Sequence, residues 1–324
     1  MAITNGVHPI DDVLGITAIV GEEGSCKTTM GLSYPKKLVH FDVDVGGFRR
    51  AAWRIPNGLV VKVLVPDEPM SSVSPADFDI LSKPYPRPIQ IDKLLGQKSD
   101  VTSRNIQITF PKKVEGMKEL WQKIIIDFVT VCQMPEVSTI MLDSATLLWF
   151  IDHNSHLQEL QERQLYRWQS DPVHKNTPYD PNDYRERLQP IEYGEANDRM
   201  RQLFQTSRAF NKNLVMTHYP TDVYGPISDG KGGFTESKTG EKVLDGFKET
   251  AKLVDVVVWT SVKTRTIPAD PKTPGSKPRD EKYPVAKFAK AGVEGMGISA
   301  VGMEIPATFE GIINLRNLMR MGGR

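Results

Sequence analysis

The chain has little of what would place it in a specialised class. Its 324 residues include two cysteines, Cys26 and Cys132, too few for a disulfide framework. No apolar run reaches the roughly 18 residues of a membrane helix. The opening stretch MAITNGVHPIDDVLG lacks the basic-then-apolar pattern of a secretory leader, so neither export nor insertion is expected. An excess of one charge is missing too. Lys and Arg number 41 against 40 Asp and Glu, a net charge of +1, which leaves only local arguments for nucleic acid. There is no internal repeat and no linker that cleanly separates two domains. With 39% hydrophobic and 25% charged residues, the composition is that of an ordinary folded chain, long enough for one large α/β domain or two small ones.

What the chain does have is the stretch GITAIVGEEGSCKTT, residues 15–29. A strand-forming run, Ile16 to Val20, leads into a glycine-bearing loop and then a helix start at Lys27, the order of a phosphate-binding loop. A triphosphate needs inward-facing backbone N–H groups, a cation at its terminal phosphates and oxygen ligands for its metal. Gly21, Glu22, Glu23, Gly24, Ser25 and Cys26 form the loop, Lys27 is the cation, and Thr28, followed by Thr29, offers a hydroxyl to Mg²⁺. The pattern therefore predicts ATP and Mg²⁺ as ligands. It departs from the usual form at Cys26, where glycine is normally found, because glycine alone visits positive φ freely. Cys26 is read as a tolerated small residue. A compartment rich in ATP implies the cytoplasm and reduced thiols.

Downstream, KLVHFDVD (residues 37–44) reads as a buried strand ending in carboxylates. Ligands gather at the carboxyl ends of parallel strands, which makes Asp44, or else Asp42, the group that orients or deprotonates the attacking water. The alternative is a carboxylate that merely caps the strand end. A stretch at about 66–110, with six prolines between 66 and 88, reads as a surface insertion. Apolar spacing then predicts a helix over 116–134 with Leu120, Ile124, Phe128 and Val131 inward. It leads to STIMLDS, residues 138–144, whose Asp143 at a strand end is placed to hold the water shell of Mg²⁺.

His153 and His156 lie in a polar, aromatic stretch and read as surface histidines, since no acidic or cysteine partner completes a familiar metal set. A helix over 193–210 feeds the strand NLVMT, which ends at His218. That histidine is either a γ-phosphate sensor beside Asp143 or a hydrogen-bonded structural residue. Residues 224–242 hold five glycines and read as a mobile loop. The segment 263–290 has eight Lys and Arg against three acids. It is either a phosphate-backbone contact or a solvated hairpin loop. Its Lys263, Arg265, Lys287 and Lys290 are the candidate DNA cations, and Lys263 and Arg265 could also reach a neighbouring subunit's triphosphate. The chain's end reads as short strands with glycine turns and a last strand, FEGIINL. The basic loop and its hairpins span about 263–310.

In order and spacing, GEEGSCKTT, KLVHFDVDVGG, TIMLDS and YGEANDRMRQLF leading to NLVMTHYP resemble the small RecA-like, AAA-type nucleotide-binding proteins of bacteriophages, which include ATPase relatives of single-strand annealing recombinases. The resemblance covers most of residues 14 to 265. It implies one RecA-like P-loop NTPase domain over 1–324, an α/β fold with a mostly parallel sheet between helices and a C-terminal β-hairpin region. It implies Lys27, Thr28 and Asp143 as phosphate and Mg²⁺ residues, with Asp44 where such proteins usually carry glutamate, about one methylene short. It also implies DNA-dependent ATP hydrolysis on single-stranded DNA in recombination or replication. The partners it implies are a single-strand-binding protein or an annealing recombinase, and the assembly a homo-oligomeric ring or filament. Rival readings are a helicase-loader or packaging-type motor, and a module that binds ATP without turnover.

Overall fold

The computed structural model describes residues 15–89, 97–98, 108–109, 112–174, 177–180, 183–228, 234–268, 277–293 and 296–322. In chain order the strands and helices are β1 (Ile16–Val20), α1 (Lys27–Gly31), β2 (Leu38–Asp42), α2 (Gly47–Ala51), β3 (Val61–Val63), β4 (Ile80–Pro84), β5 (Gln97–Lys98), β6 (Ile108–Thr109), α3 (Met117–Cys132), β7 (Thr139–Asp143), α4 (Ala145–Ser170), α5 (Tyr193–Ala209), β8 (Asn213–His218), β9 (Pro220–Ser228), β10 (Phe234–Leu244), α6 (Thr250–Leu253), β11 (Val256–Ile267), β12 (Arg279–Ala291), β13 (Glu304–Pro306) and α7 (Phe309–Gly322).

Nine strands make one sheet in the order β13-β12-β11-β1-β8-β7-β2-β4-β3. From β11 to β3 every pairing is parallel, and β12 and β13 extend the edge antiparallel. β1, β2, β7 and β8 are buried along their whole length, as strands covered by helices on both faces must be. One face packs Ala18, Val39, Phe41, Ile140, Leu142, Leu214 and Met216 against α3, α4 and α5. The other packs Ile19, Leu38, Met141 and Val215 against Met30, Phe48, Phe288 and Ile312. This is an α/β fold with a largely parallel central sheet and an antiparallel hairpin edge. β1, which carries the loop, and β7, which carries Asp143, are not neighbours; β8 lies between them.

Four expectations change. The stretch read as an insertion at about 66–110 contributes β4 to the central sheet, with Ile80 and Leu81 fully buried. Its flanking prolines masked a short apolar run, and Pro84 sits at the strand end, where its missing N–H costs little. Much of the rest of that stretch, like part of the basic segment, lies outside the described residues. The loop expected at 224–242 is an antiparallel hairpin of β9 and β10, except for 229–233, which lie outside the described residues. The terminal FEGIINL begins a helix, α7, not a strand. A short apolar run does not separate the two periods, and Ile312 and Arg316, one helical turn apart, are both buried. Finally, His156 is not a surface histidine. It lies on the 26-residue α4 and is 3% exposed.

Candidate functional site

The carboxyl ends of β1, β2, β7 and β8 meet at one cleft. Lys27, Thr28, Asp44, Arg50, Arg54, Asp143 and Tyr219 line it together with loop residues 23–26. Strand alternation decides which side chains face the cleft. Even-numbered residues of β2 and odd-numbered residues of β7 and β8 share the α1 side of the sheet, so His40, Asp143 and Thr217 converge. Asp143 accepts a hydrogen bond from Thr28 Oγ1 at 2.7 Å, another from Thr217 Oγ1, and meets His40 Nε2 at 3.3 Å. His40 is held from its other nitrogen by Ser82 of β4 at 2.9 Å. Burial pushes the Asp143 carboxyl up, but His40, Thr217 and Thr28 together outweigh it and hold the group below the usual carboxylate range.

Lys27 Nζ donates to the carbonyls of Gly21 at 2.7 Å and Glu22 at 2.9 Å, and lies 4.5 Å from the ring centre of Tyr219. Burial lowers its pKa, against the pull of Asp143 and Asp44. Gly21 is required by close approach, since a Cβ there would lie 2.4 Å from Ser25 Oγ. Ser25 is tied to Thr260 of β11 at 2.9 Å, and Glu22 pairs with Lys242 of β10. Gly24, Glu23 and Thr29 complete the rim. Cys26 adopts φ of 71°, the left-handed conformation that glycine ordinarily supplies, and its Sγ accepts from Arg54 Nη1 at 2.7 Å. The thiol has taken the backbone geometry of the usual residue.

Asp42 and Asp44 have separate roles. Asp42 Oδ2 accepts from the Gly46 N–H at 3.0 Å, capping the turn into α2. Asp42 pairs in register with Asp143, and its Oδ1 is buried with no hydrogen-bond partner. Asp44 faces the cleft, where its Oδ2 accepts from Tyr219 Oη at 2.9 Å and Arg50 Nη2 at 3.2 Å. Gly47 leaves room for Asp143 and Asp42, for a Cβ there would lie 2.8 Å from Asp143 Oδ2 and 3.5 Å from Asp42 Oδ1.

Of the two readings of His218, the γ-phosphate sensor is corrected and the hydrogen-bonded structural residue holds. It points to the opposite face from Asp143, where Nδ1 meets the Asp245 carbonyl at 2.9 Å, and burial lowers its pKa to about 4. Thr217, one residue earlier, is the β8 side chain that reaches Asp143. Of the four hairpin cations, Lys263 pairs with Glu304, Arg265 forms a two-point pair with Glu281, and Lys290 donates to the carbonyls of Ala251, Lys252 and Val254. Lys287 is exposed. None of the four lines the cleft.

Sequence reasoning missed His40, Thr217, Tyr219, Arg50 and Arg54. The period-2 alternation of NLVMTH puts Thr217 and His218 on opposite faces, but the pairing of β8 with β7 decides which of them meets Asp143. Arg50 and Arg54 sit one helical turn apart just after the glycines 46 and 47, a spacing that puts both on one side. The donor set suits a hard dication and a polyphosphate. Thr28 and Asp143 supply oxygens, the unpartnered Asp42 Oδ1 lies beside them, and Lys27, Arg50 and Arg54 supply positive charge.

No family model and no curated protein matches the chain. Among solved structures, a KaiC-like protein from the hyperthermophilic archaeon Pyrococcus horikoshii aligns with 94% of this chain and 93% of its own at 8% identity, with a TM-score of 0.35. The site rests on its own geometry.

Proposed function

We propose that the chain is a P-loop ATPase that binds ATP at residues 21–29 and holds Mg²⁺ through Thr28 and Asp143. One observation carries the reading. The hydroxyl of Thr28, at the start of the helix that follows β1, and the carboxylate of Asp143, at the end of the non-adjacent strand β7, lie 2.7 Å apart beside the buried Lys27. A bound Mg²⁺ would neutralise charge on the terminal phosphates. Lys27 exchanges its two loop carbonyls for phosphate oxygens. Thr217 and His40 keep Asp143 ionised and aimed. Asp44 accepts a proton from, or orients, the attacking water once Tyr219 yields its hydrogen bond.

A second reading has an observation of its own. Asp44 Oδ2 is already engaged by Tyr219 and Arg50, which favours a module that binds ATP tightly and turns it over slowly or not at all. Titration with ATP and assay of phosphate release, for the wild type, Lys27→Ala and Asp44→Asn, separate the two. A wild type that fails to bind ATP overturns both.

Action on single-stranded DNA, with a single-strand-binding protein or annealing recombinase as companion, is part of the proposal and is supported by the sequence resemblance. So is assembly into a ring or filament. Stimulation of phosphate release by single-stranded but not duplex DNA tests the first and distinguishes it from a packaging-type motor. Sedimentation with and without nucleotide tests the second.

A further inference from the structure

Away from the cleft, α4 and α5 enclose a polar cluster that the proposed ATPase does not use. His156 and Glu159, three residues apart on α4, face Glu195 of α5. One donor atom from each of the three lies within 4.8 Å of the others. His156 Nδ1 is 3.5 Å from Glu159 Oε2 and 3.7 Å from Glu195 Oε2. Two ligand atoms about 2.1 Å from a tetrahedral Zn²⁺ lie about 3.4 Å apart, so these separations need little adjustment.

An ion-pair network by itself does not account for the cluster. Arg199 Nη2 donates to Glu159 Oε2 and Glu195 Oε1, each at 2.8 Å, and its Nη1 lies 3.9 Å from Asp152 Oδ1. Yet His156 Nδ1, Ser155 Oγ and both Asp152 oxygens are buried with no hydrogen-bond partner. The three residues are 3%, 0% and 0% exposed. Each such atom is desolvated without a compensating hydrogen bond, and the imidazole nitrogen faces the two carboxylates. Burial pushes the Asp152 carboxyl up to about 8, against the pull of Arg199.

We infer that His156, Glu159 and Glu195 form a binding site for a transition-metal dication, Zn²⁺ by its donor set. An imidazole with two carboxylates suits Zn²⁺ better than Mg²⁺, which takes oxygen ligands and keeps its waters. Three protein ligands leave the fourth position to water. Arg199 is the outer partner that orients both carboxylates, as groups behind metal ligands commonly do. The ion ties α4, which starts immediately after Asp143 and Ser144, to α5, which leads into β8 and Thr217. His153, by contrast, contacts the Trp149 carbonyl at 3.0 Å and takes no part.

The test strips the full chain with EDTA, dialyses it against Zn²⁺, and measures bound metal by mass spectrometry, with Co²⁺ as a spectroscopic substitute. The wild type is expected to hold about one Zn²⁺ per chain and to show visible absorption with Co²⁺. Glu195→Gln and His156→Asn are expected to weaken binding by about 100-fold or more. His156 is buried and its variant could misfold, whereas Glu195 is half-exposed and its conservative amide keeps the test open. A wild type that takes up no Zn²⁺ overturns the site. So does uptake undiminished in a folded Glu195→Gln, which would place the ion elsewhere.

Discussion

Two regions of this molecule are rich in cations, and they use them in opposite ways. At the cleft, Lys27 rests on neutral carbonyls and an aromatic face, with Arg54 on a thiol. In the β11–β12 hairpin, Arg265 and Lys263 are neutralised by Glu281 and Glu304, and Lys290 is bound into the end of α6 through three carbonyls. The sequence segment at 263–290 has the higher density of positive charge, but in the cleft Lys27 and Arg54 rest on neutral groups. Local charge counts a residue's own sign. Availability depends on which acids the fold places opposite it.

The comparison breaks most sharply at Lys27. Lys27→Ala is expected to cut ATP affinity or phosphate release by about 10²–10³-fold, measured by titration and phosphate assay; a loss under twofold would remove the cleft from the reading. Next is Thr217→Val, which leaves buried Asp143 one donor short and is expected to destabilise the chain by about 1–3 kcal/mol in urea melts. The pH dependence gives a second readout. Because the folded-state pKa of Asp143 is lowered, its stabilising contribution is present above the unfolded value of about 3.9 and is lost as pH falls through the lowered folded one. Thr217→Val should move that acid limb to higher pH.

Asp152 is the contrast within the same class of residue. With no donor and a pKa pushed up to about 8, it stays protonated in the fold while the unfolded chain ionises. Stability should therefore decline as pH rises between the unfolded value, about 3.9, and the folded one. In EDTA, Asp152→Asn should flatten that decline in Tm, and an unchanged slope would refute the assignment. Smaller again is Cys26→Gly, expected to stabilise by about 1 kcal/mol by relieving a side chain at φ of 71°, read as a higher Tm. The smallest effect belongs to the hairpin. Replacing Glu281 and Glu304 by Gln frees two cations and should steepen the salt dependence of single-stranded DNA binding by up to about 1.4 in log–log slope. No change would confine DNA, if bound, to another surface.

Much of the cleft was legible in the chain because its signals are local. The loop spacing from Gly21 to Thr28 and the apolar runs ending at Asp44 and Asp143 are contiguous stretches whose backbone direction fixes where their ends point. The strand hidden among prolines at Ile80–Pro84 and the helix behind FEGIINL were not legible, since a run of four to seven apolar residues fits either period. His218 and Thr217 differ by one position, and only the pairing of β8 with β7 tells which faces Asp143.

The sequence by itself determined the glycine-bearing loop ahead of Lys27, the acids at the strand ends and the alternation of helix and strand, because each is set by residues within a few positions of one another. The tertiary structure decided what no short window contains. It paired Lys263 and Arg265 of the hairpin with acids, set Thr217 rather than His218 beside Asp143, and brought Glu195 from another helix to His156. Those outcomes depend on long-range strand register and helix packing, where the partner lies tens or hundreds of residues away.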